Sequence, residues 1–388
     1  MDKTVLTQKI KDKALQLGFA KVGITTADDF DEFEEDLHSR GKAYAWMFTH
    51  FPSGPTDGIR PRDLMPEAKS IVCVAYDFSQ IDYPENLLAS IGRTYLSNGY
   101  LPKPDSLNGS RLELFHKYLE ELGCAVFDKG PQQCPDRWAA ARAGIVTFGG
   151  NNMAYAEGCG SFVNMFCFII DKELDYDSPS IERPCPPDCR LCIDACPTNA
   201  LTEQGKMIPS RCISFHTFGM SGYVKEEIRI ASGSRIHGCD ACQEACPRNK
   251  KALEAPKHKS PFLEKISREF DLEKVLLMDD DYFERVVFPI MGAYTDAQVI
   301  YDAKEELFPR SAAIALGNSQ DESHVPALEK ALGTRRKVVR EASAWALGRI
   351  GGEKAKEALL RCSKTEDDPE LKQAIEEALG KIKSEIRV

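Results

Sequence analysis

The chain has 388 residues, 43% hydrophobic and 28% charged, enough for two or three packed domains. A net charge of −10 excludes a generally basic nucleic-acid coat, and no apolar run reaches the roughly 20 residues of a membrane helix. Fourteen cysteines alongside a charged, helix-periodic start without an export signal lead to a cytoplasmic expectation, where thiols serve metals rather than disulfides.

Leu6, Ile10, Ala14 and Leu17 repeat at helical spacing and stop at Gly18. Ser70–Phe78 reads as a buried strand. Leu112, Phe115, Leu119 and Leu122 mark a second helix ended by Gly123. Asp136–Gly144 is a short Ala-rich helix, and Ser161–Asp171 is a second buried strand. These elements predict an α/β or α+β domain over 1–175. A Pro/Ser/Asp-rich connection follows, then a cysteine-rich segment assigned to 176–260. Lys250–Pro261 reads as a basic loop, and 261–300 as a helical connection.

Over 301–388, Gly317, Gly348 and Gly380 recur 31 and 32 residues apart within similar helical phrases. Each unit is a helix pair whose apolar side needs a neighbour. The pattern is similar to HEAT repeats. Two and a half such units are too few to stand alone and are expected to dock on the rest of the chain.

The cysteines carry the chemistry. Cys189, Cys192, Cys196 and Pro197 form C-x₂-C-x₃-C-P, and so do Cys239, Cys242, Cys246 and Pro247. Cys185 stands one residue further upstream than the bacterial ferredoxin pattern, and Cys212 is the nearest donor for the second motif. In that pattern the fourth cysteine ligates the other cluster. Cys185, Cys189, Cys192 and Cys246 are therefore assigned to one [4Fe–4S] cluster, and Cys196, Cys212, Cys239 and Cys242 to the other. Paired zinc knuckles do not need the C-x₃-C-P ending twice. The other six cysteines, Cys73, Cys124, Cys134, Cys159, Cys167 and Cys362, read as core residues. About 175 residues precede the motif and 140 follow it, which suggests that the electrons are used within the same polypeptide.

The order of "RPRDLMPEAKSI", "DKGP", "DRWAAARAG", "GSF", the two cysteine motifs, "RCISF" and the terminal repeats resembles the epoxyqueuosine reductase family over nearly the whole chain. The resemblance implies an α+β fold: a nitroreductase-like cobalamin-binding domain, a ferredoxin-like double-cluster domain and HEAT-like repeats. It implies a cytoplasmic oxidoreductase that converts epoxyqueuosine at the tRNA wobble position to queuosine. The cofactors would be cobalamin and two [4Fe–4S] clusters, and the electrons would come from a reduced donor such as ferredoxin or flavodoxin. The family's proton donor maps onto Asp128. Two extra residues before Asp136 make Asp136 a competing candidate. The stretch "VTFGGNN" departs from the family's usual sequence.

Gly149, Asn151, Gly160 and Ser161, in a Gly/Asn-rich loop, are nominated for the corrin because small residues let backbone approach a flat macrocycle. Arg335, Arg336, Lys337 and Arg340 are nominated for tRNA phosphates, with Arg248, Lys250, Lys251, Lys257 and Lys259 as a second strip. Two other readings stay open: a related corrinoid reductase acting on a small molecule, and a non-catalytic electron carrier with a helical partner surface.

Overall fold

The computed structural model describes residues 1–42, 44, 56–127, 134–180, 184–218, 222–291 and 297–385. The chain divides into two compact units. The first comprises 1–81, 97–209 and 241–258, and the second comprises 82–96, 210–240 and 259–388. The cysteine-rich segment therefore contributes to both.

In the first unit, helix α1 (Lys3–Gln16) starts where the Asp2 carboxylate accepts the Thr4 and Val5 amides, and Gly18 leaves it at φ +88°. Strands β1 (Lys21–Thr26) and β2 (Ser70–Asp77) pair antiparallel. Helix α2 (Leu107–Glu121) ends before Gly123, at φ +81°. Helix α3 (Asp136–Arg142) ends before Gly144, at φ +72°. A small hairpin joins β3 (Thr147–Phe148) to β4 (Ala154–Tyr155), and β5 (Val163–Ile170) pairs antiparallel with β2. The sheet order is β1-β2-β5, so the domain is α+β rather than α/β.

Alternation along β2 splits the core between the sheet's two faces. Val72 and Val74 pack with Leu6, Ile10 and Ala14 of α1 and Phe115 and Leu119 of α2. Ile71 and Cys73 pack on the other side with Ala139, Ala140 and Ala141 of α3. A strand buried on both faces loses the polar alternation of an exposed one, which is why Ser70–Phe78 reads as a continuous apolar run.

Still in the first unit, α4 (Leu191–Asp194) and α5 (Ala241–Glu244) are single turns within the two cysteine motifs. The residues expected to form a basic loop begin instead as a turn of helix, Lys250–Glu254.

The second unit contains the repeats: α6 (Phe308–Ser319), α7 (Val325–Ala331), α8 (Lys337–Ile350), α9 (Gly352–Ser363) and α10 (Pro369–Glu385). They dock on residues 210–240 of the same unit. Arg310, 2% exposed, donates to the carbonyls of Gly222 at 2.7 Å and His216 at 2.5 Å. Arg229 forms a two-bond pair with Glu341 at 2.7 and 2.8 Å. The Asn318 amide donates to the Arg229 and Gly233 carbonyls.

The repeat glycines explain the packing. A Cβ on Gly317 would lie 2.7 Å from Ala346, and one on Gly348 would lie 2.7 Å from Ala378, whereas Gly380 faces open space. The same substitution should therefore have opposite signs. Gly348→Ala overpacks α8 against α10 by about 1–3 kcal/mol and lowers the thermal midpoint. Gly380→Ala gains about 0.5–1 kcal/mol of helix propensity and raises it.

Candidate metal centre and active-site segment

The two C-x₃-C-P endings fold alike. The Cys196 amide donates to the Ile193 carbonyl at 3.1 Å, and the Cys246 amide to the Gln243 carbonyl at 3.2 Å. Asn199 then donates back to Cys196 at 3.1 Å, as Asn249 does to Cys246 at 2.9 Å. Proline after each cysteine removes an amide that would compete in that turn.

Cys185, Cys189, Cys192 and Cys246 all belong to the first unit. The Gly150 amide donates to Cys185 Sγ at 3.3 Å, and a Cβ on Gly150 would lie 3.7 Å from Cys192 Sγ. The extra residue after Cys185 thus leaves its sulfur beside the same glycine as Cys192. Burial raises the Cys192 pKa, and negative charge at Cys246, then at Cys185 and Cys189, raises it further. Cys192 thus stands within electrostatic reach of the three other cysteines assigned to its cluster, the expected crossover ligand Cys246 among them. The Tyr155 hydroxyl also faces Cys246, and burial and that neighbour both hold it protonated.

Of the second predicted set, Cys196 and Cys242 lie in the first unit, and Cys212 and Cys239 in the second. Burial opposes ionisation of Cys196, but the Leu201, Thr198 and Ala200 amides and the Thr198 hydroxyl lower its pKa overall. The Ala200 amide donates to its sulfur at 3.2 Å. Amides aimed at a ligating sulfur tune a cluster. In the second unit, Thr217 ties the helix after Cys212 to the Cys239 turn. Its carbonyl meets His237 Nδ1, and its hydroxyl accepts from Gly238, both at 2.9 Å. Asp240 accepts from the Arg93 amide and from Arg93 Nη1, each at 2.9 Å.

The Asn151 and Ser161 side chains, nominated with Gly149 and Gly160 for a corrin, are engaged within the protein. Asn249 Oδ1 accepts the Ser161 amide at 2.7 Å, and its Nδ2 donates to Ser161 Oγ and to the Gln243 carbonyl at 2.8 Å. Ser161 Oγ also bonds Gln243 Oε1 at 2.9 Å. Asn151 bonds the Tyr155 hydroxyl at 3.0 Å and the Cys242 carbonyl at 3.1 Å. Glycine is needed at 149 because a Cβ would lie 2.4 Å from the Tyr155 ring, and at 160 because one would lie 2.2 Å from Asn249 Oδ1. These residues clamp the second cysteine motif to the β3–β4 region. Replacing Asn249, which is 0% exposed, by Ala removes three hydrogen bonds and strands the buried Ser161 amide. Asn249→Ala should cost about 3 kcal/mol and reduce retained iron, read as thermal midpoint and iron per chain.

Asp128 lies outside the described residues. The segment that carries it leaves from Phe127, whose amide bonds the Ile169 carbonyl of β5 at 3.0 Å, and returns at the fully buried Cys134. Asp136 is the first residue of α3, and burial pushes its carboxyl up to about 7 against hydrogen bonds from Cys167 and Cys134.

The nominated basic residues are largely engaged. Arg336 pairs with Glu305 at 3.5 Å and covers the Tyr301 ring at 4.5 Å. Lys337 pairs with Asp368 at 2.9 Å and Glu370 at 2.5 Å, and Arg340 with the buried Glu366. Arg335 is exposed. In the second strip, Arg248 stacks on Tyr155 at 4.0 Å and Lys257 donates to the Ser79 and Ala252 carbonyls at 2.6 Å. Lys250 and Lys259 pair loosely with Glu254 and Glu264, and Lys251 is exposed.

The model of the 4Fe-4S double cluster binding domain matches residues 185–249, and that of HEAT repeats matches 298–380. The epoxyqueuosine reductase of Cyclobacterium marinum is 30% identical over 253 residues, 63% of this chain and 79% of that protein. The chain belongs to the epoxyqueuosine reductase family. A crystal structure of an epoxyqueuosine reductase with an epoxyqueuosine-modified tRNA-Tyr stem loop superposes on this family member with a TM-score of 0.77. It is 28% identical, and the match covers 98% of this chain and 99% of the other. A Bacillus subtilis epoxyqueuosine reductase, with its aspartate-bearing catalytic loop swung out of the active site, gives 0.79 at 28% identity, covering 97% and 99%. This family member is thus an oxidoreductase with a double [4Fe–4S] domain and HEAT repeats in an α+β chain. Among the described residues no helix is long and apolar enough to cross a membrane.

Proposed function

We propose that this chain reduces epoxyqueuosine to queuosine in tRNA, in the cytoplasm, with two [4Fe–4S] clusters and cobalamin as cofactors. The observation that carries this reading is the end-to-end likeness to the reductase crystallised with a modified stem loop, since it spans the sheet domain, the cysteine motifs and the repeats together. The balance is an epoxide plus two electrons and two protons giving an alkene and water. The clusters, when bound, pass electrons one at a time from a reduced donor such as ferredoxin or flavodoxin.

The chain's own residues do the rest. Cys185, Cys189, Cys192 and Cys246 would hold one cluster, and the motif spacing assigns Cys196, Cys212, Cys239 and Cys242 to the other. The Asn151, Ser161, Gln243 and Asn249 network holds that lobe against the sheet domain. Asp128 would deliver a proton to the oxygen that leaves, as a positioned general acid. Arg335 meets phosphate from solvent, while Arg336, Lys337 and Arg340 would exchange carboxylate partners for phosphates. The test is incubation of the reduced protein with tRNA from cells lacking the reductase, followed by nucleoside analysis. Queuosine should replace epoxyqueuosine. Unchanged epoxyqueuosine with protein carrying its iron and cobalt would overturn the reading.

A further inference from the structure

Three cysteines that the cluster motifs leave unused meet at one place in the first unit. Cys73 on β2 and Cys167 on β5 are register partners, with Sγ atoms 3.5 Å apart. Cys134, just before α3, places its Sγ 3.7 Å from Asp136 Oδ1. The ligand atoms of Cys134, Asp136 and Cys167 all lie within 4.8 Å of one another, and among the described residues no other three cysteine, histidine or acidic side chains do so. Cys73 and Cys134 are 0% exposed.

These separations suit a metal better than a covalent bridge. A disulfide would need the sulfurs at about 2.05 Å. A tetrahedral zinc ion, with bonds of about 2.3 Å to sulfur and about 2.1 Å to oxygen, spaces its ligands by roughly 3.6–3.8 Å. The donors come from β5 and the start of α3, so one ion would join the two. Thiolates mixed with a single carboxylate favour zinc over magnesium or calcium. The carboxyl sits against the apolar packing of α3, where an ionised form calls for a cation in contact.

We propose that Cys134, Cys167 and Asp136 form a buried zinc site that fixes the start of α3 on β5, with Cys73 packed against the Cys167 ligand from β2. The ion would anchor the point where the Asp128 segment re-enters the core, and it would make Asp136 a ligand rather than a proton donor. The proposal is independent of the substrate.

The test uses full-length, cluster-loaded protein prepared anaerobically with zinc in the medium and passed over a chelating resin. Metal analysis should give about one zinc per chain beside about eight irons. X-ray absorption at the zinc edge should show a mixed sulfur and oxygen shell at about 2.3 and 2.1 Å. Cys134→Ser and Asp136→Asn should each lower zinc about tenfold with iron unchanged, while Cys362→Ser keeps both. No zinc in the wild type after added Zn²⁺, an all-sulfur shell, or full zinc in the Cys134→Ser and Asp136→Asn variants would overturn the proposal. Should neither variant be soluble, the wild-type shell decides alone.

Discussion

Cys246→Ser should cut the iron content from about eight to about four per chain and take turnover below detection, because one cubane is lost and the electron path is broken. Cys192→Ser and Cys185→Ser should remove the same cluster, leaving one identical paramagnetic signal in all three reduced variants. Cys239→Ser should leave the other signal. Negative charge at Cys246, Cys185 and Cys189 bears on Cys192, although Cys246 closes the other motif in sequence. If Cys246→Ser and Cys239→Ser abolished the same signal, the crossover assignment would fail. Cys185 is the sharper probe of the inserted residue, and the bond from Gly150 to its sulfur predicts that the longer spacing still delivers a ligand.

Asp128→Asn should lower turnover by roughly 10²–10⁴, the range for removing a positioned general acid, with iron and cobalt contents unchanged. Asp136→Asn should lower it by less than about tenfold. In sequence Asp128 shortly precedes the "DR" whose aspartate is Asp136, so the distinction rests on what surrounds Asp136. The Asp136 carboxyl is spent on Cys134 and Cys167 within the sheet domain. A group shut in there can hold a proton yet cannot hand it to an RNA-borne epoxide. Single-turnover rates of the two variants with matched cluster loading check this, and a larger loss in Asp136→Asn would reverse the roles.

Much of the fold was legible because its signals are local. Helix caps and stops depend on neighbours in the chain: Asp2 opens α1, and Gly18, Gly123 and Gly144 end their helices at positive φ. The two C-x₃-C-P turns repeat their hydrogen bonds because the spacing itself closes them. The small loop residues 149–161 were legible only in part, for the opposite reason. Their composition suits a flat ligand equally well, and only the bonds from Asn249 and Gln243, some 80 to 90 residues on, show that they clamp the cluster lobe. The basic strip likewise reads as free charge until Glu305, Asp368 and Glu366 arrive from neighbouring helices.

What the amino-acid order alone determined was the ligand inventory, the helical repeat and the apolar run that buries β2, since each is written in residues a few positions apart. What needed the folded chain was which groups meet. Cys73 and Cys167 are 94 residues apart and touch only because antiparallel pairing sets them in register. Strand register and helix docking are set by burying the whole apolar surface at once. No short stretch holds that information, so the cysteine and carboxylate cluster beneath α3 could be found only in three dimensions.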